Sequence, residues 1–159
     1  PLFEKIVNCT DYNFIIIGFL EKKPSKILKS VFNNKRVTFL GPMNIESINF
    51  EEIFCSIVPY NILQAHAKSI TLNNRTFQLL SRGIPIVILK LPYLLNIDKE
   101  IVWQADTTNS FVDGINYFQR NFYKVQRPIE KFVSANNLVA RTEELMGFIK
   151  IAKTNRRVI

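Results

Sequence analysis

The chain has 159 residues, enough for one domain of ordinary size with a hydrophobic core. Hydrophobic residues make up 47% and charged residues 21%, which excludes a disordered tail, and the longest apolar stretch, Phe14–Leu20, is far too short to cross a bilayer. The net charge of +8 favours anionic partners such as nucleotide phosphates, nucleic acid or an acidic membrane face, and an AT-rich coding sequence that overuses Lys gives the same excess.

The elements read as alternating helices and strands. Leu2, Phe3, Ile6 and Val7 have helical spacing, with the helix ending near Asn8. Cys9 follows it and Cys55 is far away, so the two cysteines form neither a disulfide framework nor a metal motif. Glu4 and Lys5 break the apolar start, so no signal peptide is visible. These features point to a reducing, cytoplasmic location.

Asn13–Ile17 is a continuous apolar, β-branched run closed by Gly18, the pattern of a strand buried on both faces. Pro24 suits the first turn of a helix carrying Ile27, Leu28, Val31 and Phe32. Arg36–Leu40 is a second strand, stopped by Gly41-Pro42. Asn49–Phe54 reads as a short helix, Ser56–Tyr60 as a third strand, and Asn61–Asn73 as a polar loop. Asn74–Arg82 is helical, Gly83 ends it, and Pro85–Leu89 is a fourth buried strand. Glu100–Trp103 is a short fifth strand, followed by a helix over Asn109–Phe118. A last amphipathic helix aligns Leu138, Thr142, Leu145 and Ile149 on one face. Such alternation predicts an α/β fold: a doubly wound, Rossmann-like parallel sheet with helices on both faces. Ligands bind such sheets outside the carboxyl ends of the strands, here the loops after Ile17, Leu40 and Tyr60 and the start of the Asn74 helix.

The segment Thr71–Val87 carries the most chemistry. Asn73 or Asn74 can cap the helix. Its first turn holds no acid and does hold Arg75, which opposes the positive end of the helix dipole by a few tenths of a kcal/mol. An anion shared by the guanidinium and the free N–H groups would resolve that conflict. Gln78, three residues on, shares the face of Arg75 and can reach a neighbouring hydroxyl. A solvated Arg–Gln surface pair is the plainer alternative.

From Asn73 to Val87 the chain reads N-N-R-T-F-Q-L-L-S-R-G-I-P-I-V. This run resembles the C-terminal motif of GT-B glycosyltransferases that use nucleotide-sugar donors. Asn13–Gly18, Arg36–Pro42, Phe54–Asn61 and Val133–Ile149 resemble further stretches of that family in the same order. The resemblance implies one nucleotide-sugar-binding domain over the whole chain, the C-terminal half of a two-domain enzyme whose first strand and acceptor domain lie outside it. It implies that Arg75 contacts the donor diphosphate and that Gln78, where the family carries glutamate, faces the ribose. Gln offers one carbonyl acceptor in place of a charged pair, which opens the alternative of a degenerate nucleotide-binding or oligomerisation module. Gly41 and Pro42 correspond to the backbone near the base and Tyr60 and Asn61 to the lip of the donor pocket, and Gly18 and Asn74 are further candidate donor-binding residues. The donor would be UDP- or GDP-linked and the acceptor a glycan or lipid-linked sugar in cell-surface polysaccharide synthesis. No cofactor or metal is called for, and the catalytic base belongs to the absent domain.

Other features carry less. His66, the sole histidine, sits in the polar loop, as a solvated residue or a phosphate contact. Asp106 and Asp113 flank a helix start as caps, and Trp103 suits the core or a domain interface. Lys150, Lys153, Arg156 and Arg157 form a basic end that is either solvated or in peripheral contact with an anionic membrane. A dinucleotide-binding dehydrogenase would need G-x-G-x-x-G, whereas Gly18 precedes Phe-Leu-Glu-Lys-Lys. No nucleic-acid module is recognisable, so nucleic acid is not an expected partner.

Overall fold

A computed structural model of the chain describes residues 2–19, 26–60, 74–93 and 97–155, with backbone alone at Ile27 and over residues 149–155. The expectations for Pro24, Asn61, His66, Asn73, Arg156 and Arg157 lie outside these residues, as do those for the side chains of Ile27, Ile149, Lys150 and Lys153.

Helix α1 (Leu2–Asn8) leads into strand β1 (Phe14–Ile17), and helix α2 (Lys26–Phe32) into strand β2 (Val37–Gly41). The two strands pair in parallel, with Phe14 beside Val37 and Ile16 beside Phe39. Side chains alternate along a strand, so these four share one face. On that face Phe3 of α1 meets Phe14 edge-on at 5.6 Å, and Phe32 of α2 meets Phe39 at 5.1 Å. Both helices therefore cover the same side of this sheet, and they touch each other. Arg36 ties the layers by donating from Nη2 to the Val7 carbonyl at 2.8 Å, near the free carbonyls that end α1.

The second half holds strands β3 (Ser56–Val58), β4 (Ile86–Leu89) and β5 (Val102–Ala105), again parallel, in the order β3-β4-β5. Helix α3 (Asn74–Leu80) precedes β4, and helix α4 (Thr108–Asn136) follows β5. Phe111, Ile115, Phe118, Val125 and Ile129 of α4 are buried at helical spacing, and α4 lies against β4 and β5. Gly114 permits that approach: a Cβ there would stand 2.7 Å from Trp103 Cδ1 and 3.1 Å from Val87 Cγ1. Trp103 is half-buried, donates from Nε1 to Ser110 Oγ at 3.4 Å and packs on Tyr117. Helix α5 (Leu138–Asn155) ends the described chain.

The molecule is thus mixed α/β, with two small parallel sheets and helices around them. One cluster of buried residues spans both sheets. The ring of Tyr12 lies 5.2 Å from that of Phe54, its hydroxyl donates to Asn116 Oδ1 at 2.8 Å, and α1 packs on α4.

Several expectations need correction. No helix forms over Asn49–Phe54. Instead a 3-10 turn covers Ile45–Ser47, and Asn49 Oδ1 accepts the Glu51 N–H at 3.0 Å in a local turn that no helix follows. β3 stops at Val58, leaving Tyr60 beyond the strand, and α3 stops at Leu80. Thr107, not Asp106 or Asp113, caps α4: its Oγ1 accepts the Ser110 N–H at 3.1 Å, while Asp113 lies inside the helix. α4 also runs far past Phe118, through Pro128. The strand over Phe14–Ile17 is not buried on both faces, since Ile15 is 49% exposed. On α5 Leu138 and Leu145 are exposed.

Candidate functional site

The site suggested by the sequence falls into two groups of residues. The first is on α3. Thr76 and Leu80, four residues apart, are buried and anchor the helix, which turns Asn74, Arg75 and Gln78 outward. All three are exposed, and neither Arg75 nor Gln78 has a side-chain partner among the described residues. The far end of the helix is held instead: the Gln78 carbonyl accepts from Ser81 Oγ at 2.9 Å and from Arg82 Nη1 at 3.0 Å. With seven residues α3 is shorter than the sequence suggests. Its dipole is correspondingly small, so any anion here depends on the Arg75 guanidinium more than on the helix.

The second group is at the ends of β1 and β2. The Gly18 N–H donates to the Gly41 carbonyl at 3.0 Å, which places the two glycines side by side where the strands finish. Gly41 has φ 72°, in the left-handed region that costs other residues roughly 1–2 kcal/mol. Nothing lies within 4 Å of a Cβ built at either glycine, so this stretch of backbone is open to close approach. Pro42 beside them is exposed. A cavity of about 290 Å³ opens next to this turn, walled by Ile15, Leu40, Met43, Ile48 and Ile53, with Glu52 also lining it. Such a slot suits a flat, apolar-faced group with polar edges.

Tyr60 is half-buried after β3, where its N–H turns back onto the Val58 carbonyl at 3.1 Å. Among the described residues no contact joins the α3 group to the glycine pair. A second cavity of about 290 Å³, lined by residues including Thr10, Asp11, Tyr12 and Asn116, lies at the entry of β1, the opposite end from the glycines. Ligand sites of parallel sheets do not occupy that end.

The sequence reading missed Arg82. Its Nη2 stands 3.3 Å from Glu46 Oε1 and its guanidinium lies 5.7 Å from the centre of the Phe50 ring, so it straps α3 to the β2–β3 connection. Its position just after the last turn of α3, where a basic side chain can bond carbonyls, was the available signal. Both cysteines are free, and burial pushes the Cys55 thiol up to about 12, which suppresses its thiolate. Among the described residues no cluster of metal-ligating side chains occurs, and no helix is long and apolar enough to cross a membrane.

No protein family, curated protein or solved structure matches this chain.

Proposed function

We propose that the chain is the donor-binding half of a two-domain, GT-B-type glycosyltransferase, its two sheets forming the halves of one doubly wound, Rossmann-like sheet. The observation that carries this reading is Arg75 and Gln78 standing exposed and side by side at the start of α3, within a run that folds as helix, turn and strand. That is the arrangement a diphosphate and an adjoining sugar would require. In support, Gly18 and Gly41 offer open backbone at strand ends, and the apolar slot beside Gly41-Pro42 suits a nucleobase. Right-handed crossovers would set α3 on the face opposite α1 and α2.

In the working mechanism the sugar passes from the donor to an acceptor hydroxyl, a glycan or lipid-linked sugar held by another domain. Arg75 stabilises the charge that grows on the departing diphosphate. Residues 1–159 alone would bind UDP or GDP without transferring sugar. A cytoplasmic site, with peripheral contact to an anionic leaflet, belongs to the same reading.

One observation favours a second reading. Gln78 stands where the family carries glutamate, so a nucleotide-binding module without catalysis fits the same surface. Gln78→Glu tests the ribose assignment by calorimetry. A charged acceptor for two hydroxyls, offset by repulsion from the phosphates, should tighten UDP about fivefold to tenfold. Inorganic pyrophosphate, which has no ribose, should gain nothing. Equal weakening of both ligands would mean that Gln78 faces phosphate, and the ribose assignment would fall.

A further inference from the structure

We infer that the outer face of α4 docks on an anionic membrane leaflet. It supplies a surface for the peripheral contact in the reading above, rests on that contact alone, and is independent of the donor site.

α4 carries Arg120, Lys124, Arg127 and Lys131, spaced i, i+4, i+7 and i+11. At 3.6 residues per turn they fall within about 60° of one another, on the side opposite the buried Phe118, Val125 and Ile129. The stripe runs for about 16 Å along the helix. All four side chains are exposed, and none bonds an acidic side chain among the described residues. The acids of α4 do not neutralise them: Asp113 lies two turns before Arg120, and Glu130 forms no ion pair with Arg127 three residues earlier. A solvated helix face ordinarily mixes both signs. Like charges three and four residues apart repel one another, so the stripe is disfavoured within the helix itself. An anionic surface removes that penalty and engages all four cations at once.

The chemistry around the stripe selects a lipid surface over other polyanions. Tyr123, three residues after Arg120 and four before Arg127, flanks the stripe and is 90% exposed. A tyrosine pairs an apolar ring with a polar tip, which suits the headgroup level of a bilayer. α5 begins two residues after α4 ends and leaves Leu138, Val139, Leu145 and Phe148 exposed. A leaflet accepts cations and apolar side chains together, whereas a phosphodiester strand attracts only the cations. The opposite face of α4 is committed to the core, so the helix lies on the leaflet and does not sink into it. Attraction is then chiefly electrostatic, each cation adding to it.

Co-sedimentation of residues 1–159 with lipid vesicles tests this. The probes are phosphatidylcholine alone and phosphatidylcholine with about 30% phosphatidylglycerol, at about 0.1 M and about 0.5 M salt. The anionic vesicles should bind at least about 30-fold more tightly than the neutral ones, and the higher salt should release the chain. R120Q/K124Q/R127Q/K131Q should weaken that binding at least about 30-fold. K5Q/K26Q/K29Q/K35Q, which removes the same charge from α1, α2 and the turn before β2, should change it by no more than about threefold. All eight side chains are exposed, so both variants should keep the parent's fold. Equal weakening by the two sets would reduce the effect to net charge and overturn the proposal. Equal binding to neutral and anionic vesicles would overturn it too, as would stripe-dependent binding of a single-stranded oligonucleotide with none to vesicles. Failure to bind any nucleotide leaves these outcomes unchanged, so the two readings fail separately.

Discussion

Strands β1 and β4 have nearly the same chemistry, Phe-Ile-Ile-Ile against Ile-Val-Ile-Leu, and very different surroundings. Every residue of β4 is buried, with a parallel strand on each side and α4 against it. Among the described residues β1 has one neighbouring strand; Phe14 is buried and Ile15 keeps 49% of its surface. An apolar, β-branched run states what a strand needs on both faces, and only its neighbours decide whether it gets it. Among the described residues the difference is one of partners: β1 packs against one strand and β4 against two.

Matched substitutions sharpen this contrast. Ile88→Ala should cost about 2–5 kcal/mol, because Ile88 has no exposed surface and the cavity it leaves cannot collapse. Ile15→Ala should cost less than about 1 kcal/mol, since half the side chain is already in water. Urea unfolding of both variants measures the pair, and equal losses would erase the distinction between the sheets. Gly114→Ala comes next, at about 1–3 kcal/mol, because its methyl group would press on the Trp103 ring and Val87. A thermal melt indistinguishable from the parent would show that α4 does not pack that closely on the second sheet. The smallest effect belongs to Arg82→Ala. Glu46 keeps 68% of its side-chain surface, so solvent screens its ion pair with the half-buried Arg82, and about 0.2–1 kcal/mol is expected, including the ring contact. A larger loss in the same urea series would make the strap from α3 to the β2–β3 connection a principal tie between the two halves.

Much of the fold was legible from periodicity. The strands ending in Gly18 and Gly41 and the buried run before Leu89 appear within a residue or two of their expected bounds. Expectations failed where a short-range bond or a tertiary partner decided the outcome. Asn49 takes the Glu51 N–H in a local turn that no helix follows, and nothing in apolar spacing records that turn. The helix expected over Asn109–Phe118 runs on to Asn136 through Pro128, with Val125 and Ile129 buried on either side. For the candidate site, residue type and spacing put Arg75 and Gln78 on one face of a helix, and their shared exposure follows from the burial of Thr76 and Leu80. The pairing of Gly18 with Gly41 depends on strand register, which no local pattern contains.

The proposed function turns on whether Arg75 holds a diphosphate. Calorimetric titration of UDP and GDP into residues 1–159 and into Arg75→Ala asks this directly. Arg75 is exposed and bonds no described side chain, so the substitution should leave the fold intact, with stability changed by no more than about 0.5 kcal/mol. Loss of a charged hydrogen bond should weaken the nucleotide by about 1.5–3 kcal/mol, roughly 10- to 150-fold in Kd. Equal affinity in the two proteins, or no binding by the parent at millimolar nucleotide, would contradict the donor-site assignment.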